Sequence, residues 1–162
     1  MLSTKLQAAQ ARIRAQWYPH FTWQLNESAP WAPLARPLAE ATVALLSTCG
    51  FYRFDQHVPF DAWNPLGDPA FREIHIDTPV DRLRIAHAHY EHEHAEMDIN
   101  VVMPILHFQQ LAAQGVIGRL YPWIYSFMGY VPEPQALITE IAPQVARRLA
   151  ADGVHAAFLT PC

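Results

Sequence analysis

The sequence predicts an α/β domain, a three-layer sandwich around a mainly parallel sheet, with a C-terminus that need not complete it. Three observations carry this. Residues 41–50, Ala41-Thr42-Val43-Ala44-Leu45-Leu46-Ser47-Thr48-Cys49-Gly50, are almost wholly apolar and stop at glycine, as a strand covered on both faces should. Val154-His155-Ala156-Ala157-Phe158-Leu159-Thr160 is a second such run. Between them strand-like and helix-like segments alternate in the order strand, loop, strand, helix, strand, helix, strand, which crossover connections turn into a mostly parallel sheet.

Residues 3–17 read as a helix, with Ser3 as N-cap and Leu6, Ala9, Ile13 and Trp17 at helical spacing. A lead-in from Pro19 to Pro37 follows, rich in turn residues and carrying Trp23, Pro30, Trp31 and Pro33. The chain therefore divides into a helical arm with a Pro/Trp-rich lead-in, residues 1–38, and an α/β domain, residues 39–162. The chain has 14 prolines, many of them before residue 80, and 51–69 reads as loop. Phe71–Ile76 alternates as a short strand, and Asp81–His87 alternates before a histidine-rich turn. Ile99, Val102, Met103, Leu106 and Leu111 place a helix over 98–115 that stops at Gly115, with Pro104 moving its true start to about Met103. Asp98 and Asn100 are expected to cap it rather than to bind metal. Tyr121–Val131 suits a strand ending at Gly129. Leu137, Ile141, Val145 and Leu149 define an amphipathic helix over 134–151, closed by Asp152-Gly153.

With 51% hydrophobic and 16% charged residues, the chain has the apolar mass of a soluble globular domain and too little charge for disorder. A net charge of -4 offers no footprint for phosphate backbones or anionic membranes, so no nucleic acid and no membrane partner is expected. No run reaches the roughly 18 apolar residues that span a bilayer, and the opening Met1-Leu2-Ser3-Thr4-Lys5 lacks a secretory apolar segment. The expected location is cytoplasmic, where Cys49 and Cys162 should be thiols.

In such sheets ligands bind beyond the carboxyl ends of the strands. Cys49, the histidines from His87, Gly129 and Cys162 all sit at predicted strand ends, and convergence of those ends should bring Cys49 near Cys162. Cys49 otherwise reads as a small core filler. Cys162 lies just past a core strand, where a thiolate nucleophile is expected, although a terminal carboxylate beside it would raise the thiol's pKa. In Gly67-Asp68-Pro69-Ala70-Phe71-Arg72-Glu73-Ile74, Arg72 and Glu73 either line a site or form an exposed ion pair behind a proline turn. The densest cluster is His87-Ala88-His89-Tyr90-Glu91-His92-Glu93-His94. It resembles the H-x-H-x-D-H zinc motif of metallo-β-lactamase-like hydrolases, with Glu91 in the place of Asp. That family needs further ligands downstream, and only His107 and His155 remain. No metal is expected; His87, His89, His92 and His94 are the alternative ligand set, against a solvated turn.

Several ordered segments carry a wider resemblance. They are Ala44–Gly50, Gly67–Ile74, His87-Ala88-His89-Tyr90, Asp98–Ile105, Gly115-Val116-Ile117-Gly118, Tyr125–Gly129, Ala142–Leu149, Asp152-Gly153-Val154 and Leu159-Thr160-Pro161. Over residues 40–161 they resemble the protein B family of glycine, sarcosine and betaine reductases and the related D-proline reductase subunit. The resemblance implies reductive cleavage of a carbon–heteroatom bond in a small amino-acid-like substrate. The nucleophile would be a cysteine or selenocysteine at or immediately after Cys162. It also implies a partner reductase subunit, pyruvoyl-bearing in characterised systems, and a thiol electron donor; a homo-oligomer stays open. Cys162 and Cys49 are then the catalytic candidates, and Arg72, Glu73, His87, His89 and Gly129 the substrate-binding ones. No bound cofactor is expected apart from a selenocysteine directly after Cys162. The alternative is a metal-binding or noncatalytic partner domain using the turn at 87–96.

The strand 155–160 is apolar on both faces, and leaving Phe158 and Leu159 uncovered would forfeit roughly 3 to 6 kcal/mol. Together with the resemblance, this predicts that the gene reads UGA directly after the codon for Cys162 and that a coding frame continues beyond it. Sequencing the downstream DNA checks this. Finding UAA or UAG there, or no related frame, would remove the catalytic assignment of Cys162.

Overall fold

The computed structural model describes residues 2–25, 28 and 31–162; Met1 of the opening and Pro30 of the lead-in lie outside them. The chain separates into two compact units, Met1–Pro33 and Leu34–Cys162. In the first, helix α1 spans Thr4–Gln16, and the Ser3 hydroxyl accepts from the Leu6 N–H at its start. The following segment folds back along the helix: Trp23 Nε1 donates to the Leu6 carbonyl and Arg14 Nε to that of Phe21.

The second unit is built on a four-stranded sheet in the order β3-β5-β1-β6. Its strands are β1 (Thr42–Ser47), β3 (Phe71–His75), β5 (Arg119–Phe127) and β6 (Ala156–Thr160). Strand β1 runs parallel to both neighbours, β5 and β6, while β3 pairs antiparallel on the far side of β5. Side chains alternate across the sheet. Leu45 and Ile124 face one cluster with Phe51, Ile74, Val102, Met103 and Ile105, while Ala44 and Tyr125 face another with Tyr121, Val145 and Leu149. Helix α3 (Ile105–Ala113) and its preceding turns cover the first face, and α4 (Ala142–Ala151) covers the second. This is the three-layer α/β arrangement expected. Two short strands, β2 (Phe51–Arg53) and β4 (Leu83–Ile85), form a separate antiparallel pair. The helix α2 (Glu93–Met97) completes the turn between β4 and α3. No helix among the described residues is long and apolar enough to cross a membrane.

The structure departs from the expected boundaries where proline or brevity intervenes. Residues 51–53 were expected as loop and instead form β2, a three-residue strand too short to show alternation. The strand expected over 81–87 keeps only Leu83–Ile85, because Val80–Arg82 winds into a single tight turn. The helix over 98–115 breaks into the turn Ile99–Val101 and α3, because Pro104 has ψ 57 and cannot continue a helical ladder. The register of β1 on β5 jumps from Val43↔Leu120 to Leu45↔Ile124, around Pro122, which has no N–H to give the ladder. The helix over 134–151 widens into a π-type turn at Leu137–Ile141 before α4; Pro143 cannot supply the amide that an α-helical bond to Thr139 needs. Phe158 and Leu159 remain 42% and 64% exposed on β6, although the Phe158 ring touches that of Phe108.

Asp98 and Asn100 act as local caps. The Asp98 carboxylate accepts from the Asn100 N–H at 2.9 Å, and the Asn100 side-chain oxygen accepts from the Leu106 N–H at 3.0 Å in the first turn of α3. The same N–H holds the Asp98 carboxyl below its ordinary pKa. Replacing Asn100 by Ala should therefore lower stability by about 1 kcal/mol. A urea titration checks this: the midpoint falls and the slope stays unchanged.

Candidate functional site

Residue identity fixes where the carboxyl ends of the strands meet. Ser47 is paired with Thr160, and two residues further along each chain stand Cys49 and Cys162. Their Cα atoms are 5.1 Å apart and their sulfurs are joined in a disulfide. Their convergence is as expected, and their chemical state is not. The two thiols expected of a reducing compartment are here one cystine, because adjacent parallel strands deliver both cysteines to the same end in register. Cys49 is fully buried while Cys162 is exposed.

The surroundings are built mainly from backbone. The Ser47 hydroxyl donates to the Val102 carbonyl and accepts from the Cys49 N–H, both at 3.2 Å. The Tyr90 hydroxyl donates to the Cys49 carbonyl at 2.9 Å. The Thr48 hydroxyl accepts from the Cys162 N–H at 3.1 Å, and the Thr48 N–H donates to the Thr160 carbonyl. Gly129, two residues past β5, closes the third side. A Cβ there would stand 3.0 Å from the Cys162 carbonyl oxygen and 3.1 Å from that of Thr48. Gly50 has φ +72, and a Cβ on it would lie 2.7 Å from the Ala86 carbonyl oxygen, so only glycine fits the exit from Cys49.

His87 is buried against this junction. Its Nε2 faces the Gly129 N–H at 3.2 Å and its Nδ1 faces the His89 N–H at 3.1 Å. A neutral imidazole offers one lone pair to these donors and a protonated one offers none. Burial, with His89 and His92 adding to it, pushes the His87 pKa down to about 4. Tyr90 packs edge-on to His87, and burial, with Glu96 adding to it, raises its pKa to about 12. Beside His87 opens a cavity of about 430 Å³, lined also by Phe60, Asp61, Trp63 and His92.

Of the positions singled out from sequence, Cys49, Cys162, His87 and Gly129 come together. His89 is exposed and stacks on Tyr130. Arg72 and Glu73, adjacent on β3, point to opposite faces of the sheet and are engaged elsewhere. The Arg72 guanidinium donates to the Val58 and Pro59 carbonyls and pairs with Asp68. Glu73 pairs with Arg148 of α4 and stands against the buried Tyr125, whose pKa burial and that carboxylate raise. The alternative ligand set also disperses. His87 is turned toward Gly129, and His92 lies 3.9 Å from Glu96. Among the described residues no three His, Cys, Asp or Glu side chains are grouped to hold a metal. Sequence reasoning missed Thr48 and Tyr90. The spacing His87-x-x-Tyr90 was the available signal for the second, since a tight turn brings residues three apart together.

Three comparisons bear on this site. Residues 24–162 match the family model described as glycine/sarcosine/betaine reductase selenoprotein B. The D-proline reductase subunit gamma of Acetoanaerobium sticklandii is 34% identical over 131 residues, covering 80% of this chain and 52% of that one. The glycine reductase complex component B subunit gamma of Carboxydothermus hydrogenoformans is 26% identical over 156 residues, covering 93% of this chain and 35% of that one. The chain thus spans about half the length of the first relative and about a third of the second. No solved structure matches.

The His87 pKa has a definite consequence for stability. Its folded value of about 4 lies below the unfolded value near 6.5, so between those limits the unfolded chain binds the proton more readily. Stability is complete above about pH 6.5 and falls as pH drops toward 4, by up to about 3 kcal/mol. Thermal melts across this range should show the decline in the wild type and a flatter profile in His87→Gln, which keeps an acceptor and does not titrate. Equal slopes in the two proteins would show that another group is responsible.

Proposed function

Because this chain belongs to the glycine/sarcosine/betaine reductase selenoprotein B family, we propose that it is the nucleophile-bearing part of a subunit of a reductase complex that cleaves a carbon–heteroatom bond in a small amino-acid-like substrate. The observation that carries this reading is the meeting of Cys162, Cys49, His87 and Gly129 at the carboxyl ends of parallel strands, where α/β sheets hold their ligands.

In the reaction the nucleophile attacks the substrate carbon, a new bond to sulfur or selenium forms, and the carbon–heteroatom bond breaks. The heteroatom leaves with the bonding pair and takes up a proton. The nucleophile is Cys162 or a selenocysteine directly after it, and it attacks in its deprotonated form. Gly129 lets the strand ends pack this closely, since any side chain there would press on the Cys162 and Thr48 carbonyls. His87, neutral at pH 7, holds the Gly129 turn by accepting from the Gly129 N–H. The partner subunit supplies the rest of the substrate site, and a thiol donor restores the reduced state.

The test is reductive cleavage in the reconstituted complex, with D-proline, glycine and betaine offered as substrates, measuring the amine released from glycine and betaine and the ring-opened amino acid formed from D-proline. Cys162→Ser should lower the rate on the substrate used by about 100-fold or more. An unchanged rate would overturn the assignment of the nucleophile to Cys162.

A further inference from the structure

Strand β6 is held beside β1 without help from the cystine. Five residue pairs run from Val43↔Ala156 to Ser47↔Thr160. The His155 N–H donates to the Thr42 carbonyl, the Thr48 N–H to that of Thr160, and the Cys162 N–H to the Thr48 hydroxyl. Breaking the disulfide would therefore leave the two sulfurs facing each other. Cys49 is also fixed in its own right, through Ser47, through Tyr90 and through a bridge to Met128. When reduced, its thiol has an acceptor in place, the Val102 carbonyl 3.9 Å from the sulfur. The pair is asymmetric, with the Cys49 sulfur inside the core and Cys162 at the surface. A staple needs neither that asymmetry nor a reduced partner held in register; a couple that opens and closes in the folded state needs both.

We propose that Cys49 and Cys162 form a cycling dithiol/disulfide couple, in which Cys162 exchanges with an external dithiol and Cys49 is the buried resolving thiol. The proposal deepens the reductase reading and rests on it for the source of the oxidation. Once the substrate carbon is bonded to the Cys162 sulfur, the Cys49 thiolate attacks that sulfur. The S–S bond forms, the S–C bond breaks, and its electron pair stays on carbon, which takes up a proton. Two electrons have passed from the dithiol to the substrate. An external dithiol then reverses the change. One of its thiolates attacks the sulfur of the exposed Cys162, and Cys49 leaves as a thiolate with the bonding pair and takes up a proton. The donor's second thiolate displaces Cys162, and the donor departs as its own disulfide.

The test uses the full chain. Native protein is equilibrated with mixtures of reduced and oxidised dithiothreitol, quenched with acid, then unfolded, alkylated and read by mass spectrometry at each cysteine. Cys49 and Cys162 should become reduced together in one two-electron transition, with no denaturant present during the equilibration. Persistence of the disulfide in excess dithiothreitol until the chain unfolds would overturn the proposal and mark a structural cystine. With oxidised glutathione, Cys49→Ser should form a mixed disulfide at Cys162, while Cys162→Ser should form little or none at Cys49. The reverse pattern would overturn the assigned roles, and the wild-type titration decides the matter even if a variant fails to fold. In the complex supplied with D-proline, Cys49→Ser should lose turnover and accumulate a substrate adduct at Cys162. Wild-type turnover by Cys49→Ser would overturn the resolving role. Clean exchange in the titration with no cleavage and no adduct in any protein would support the couple and overturn the reductase reading instead.

Discussion

Strand β1 is the constraint on which the junction depends. Among the described residues it is the one strand with parallel neighbours on both sides, β5 and β6, and it is almost wholly buried. A strand in that position must be apolar on both faces, so residues 42–47 have little freedom in composition and none in register. A one-residue slip would turn Ala44 toward the cluster that needs Leu45 and bring Leu45 against Tyr125. The same slip would part Cys49 from Cys162, because each stands two residues past the pair Ser47↔Thr160. Core packing and the placement of the sulfurs are thus one requirement.

Beyond the strands, the junction is held by backbone groups approaching one another more closely than side chains allow. Gly129 lies against the carbonyls of Thr48 and Cys162, and Gly50 against that of Ala86. These approaches leave N–H groups to be satisfied inside the protein, and a buried N–H without a partner is costly. The His87 ring faces two of them, at Gly129 and His89, and its one neutral lone pair accepts from one at a time. Its low pKa follows from the same burial that makes it useful there. The most conspicuous histidine of the cluster is therefore turned toward two backbone N–H groups, and among the described residues no three His, Cys, Asp or Glu side chains are grouped to hold a metal.

The sheet was legible in the sequence because its signals are compositional: two continuous apolar runs ending at Gly50 and Thr160, and a helical period from Leu137 to Leu149. The meeting of Cys49, His87, Gly129 and Cys162 was legible for the same reason, since each follows a strand whose end the pattern marks. What could not be read was set by partners far along the chain. The two cysteines were expected to meet but as thiols; their bonding depends on the register of β6 on β1, which puts the Cα atoms 5.1 Å apart across a sequence separation of 113 and which local periodicity does not contain. The opposed faces of Arg72 and Glu73 follow from strand geometry, yet their partners Val58, Asp68 and Arg148 come from three separate elements. The widened turn at Leu137–Ile141 depends on one missing amide at Pro143, while the residues themselves keep a perfect helical period.

The antiparallel β3 gives the site its direction. Parallel β1, β5 and β6 present their carboxyl ends at one edge, and β3 returns alongside β5 so that Phe71 pairs with Phe127 near that edge. The loop that precedes β3 is drawn in by Arg72, whose guanidinium binds the Val58 and Pro59 carbonyls and lies 4.2 Å from the centre of the Phe60 ring. Phe60 in turn lines the cavity beside His87. A residue singled out as a candidate for binding substrate thus shapes, through main-chain contacts, a wall of the cavity beside His87. Loss of Arg72 would act on that space through the 58–60 loop, and its charge is already spent on holding it.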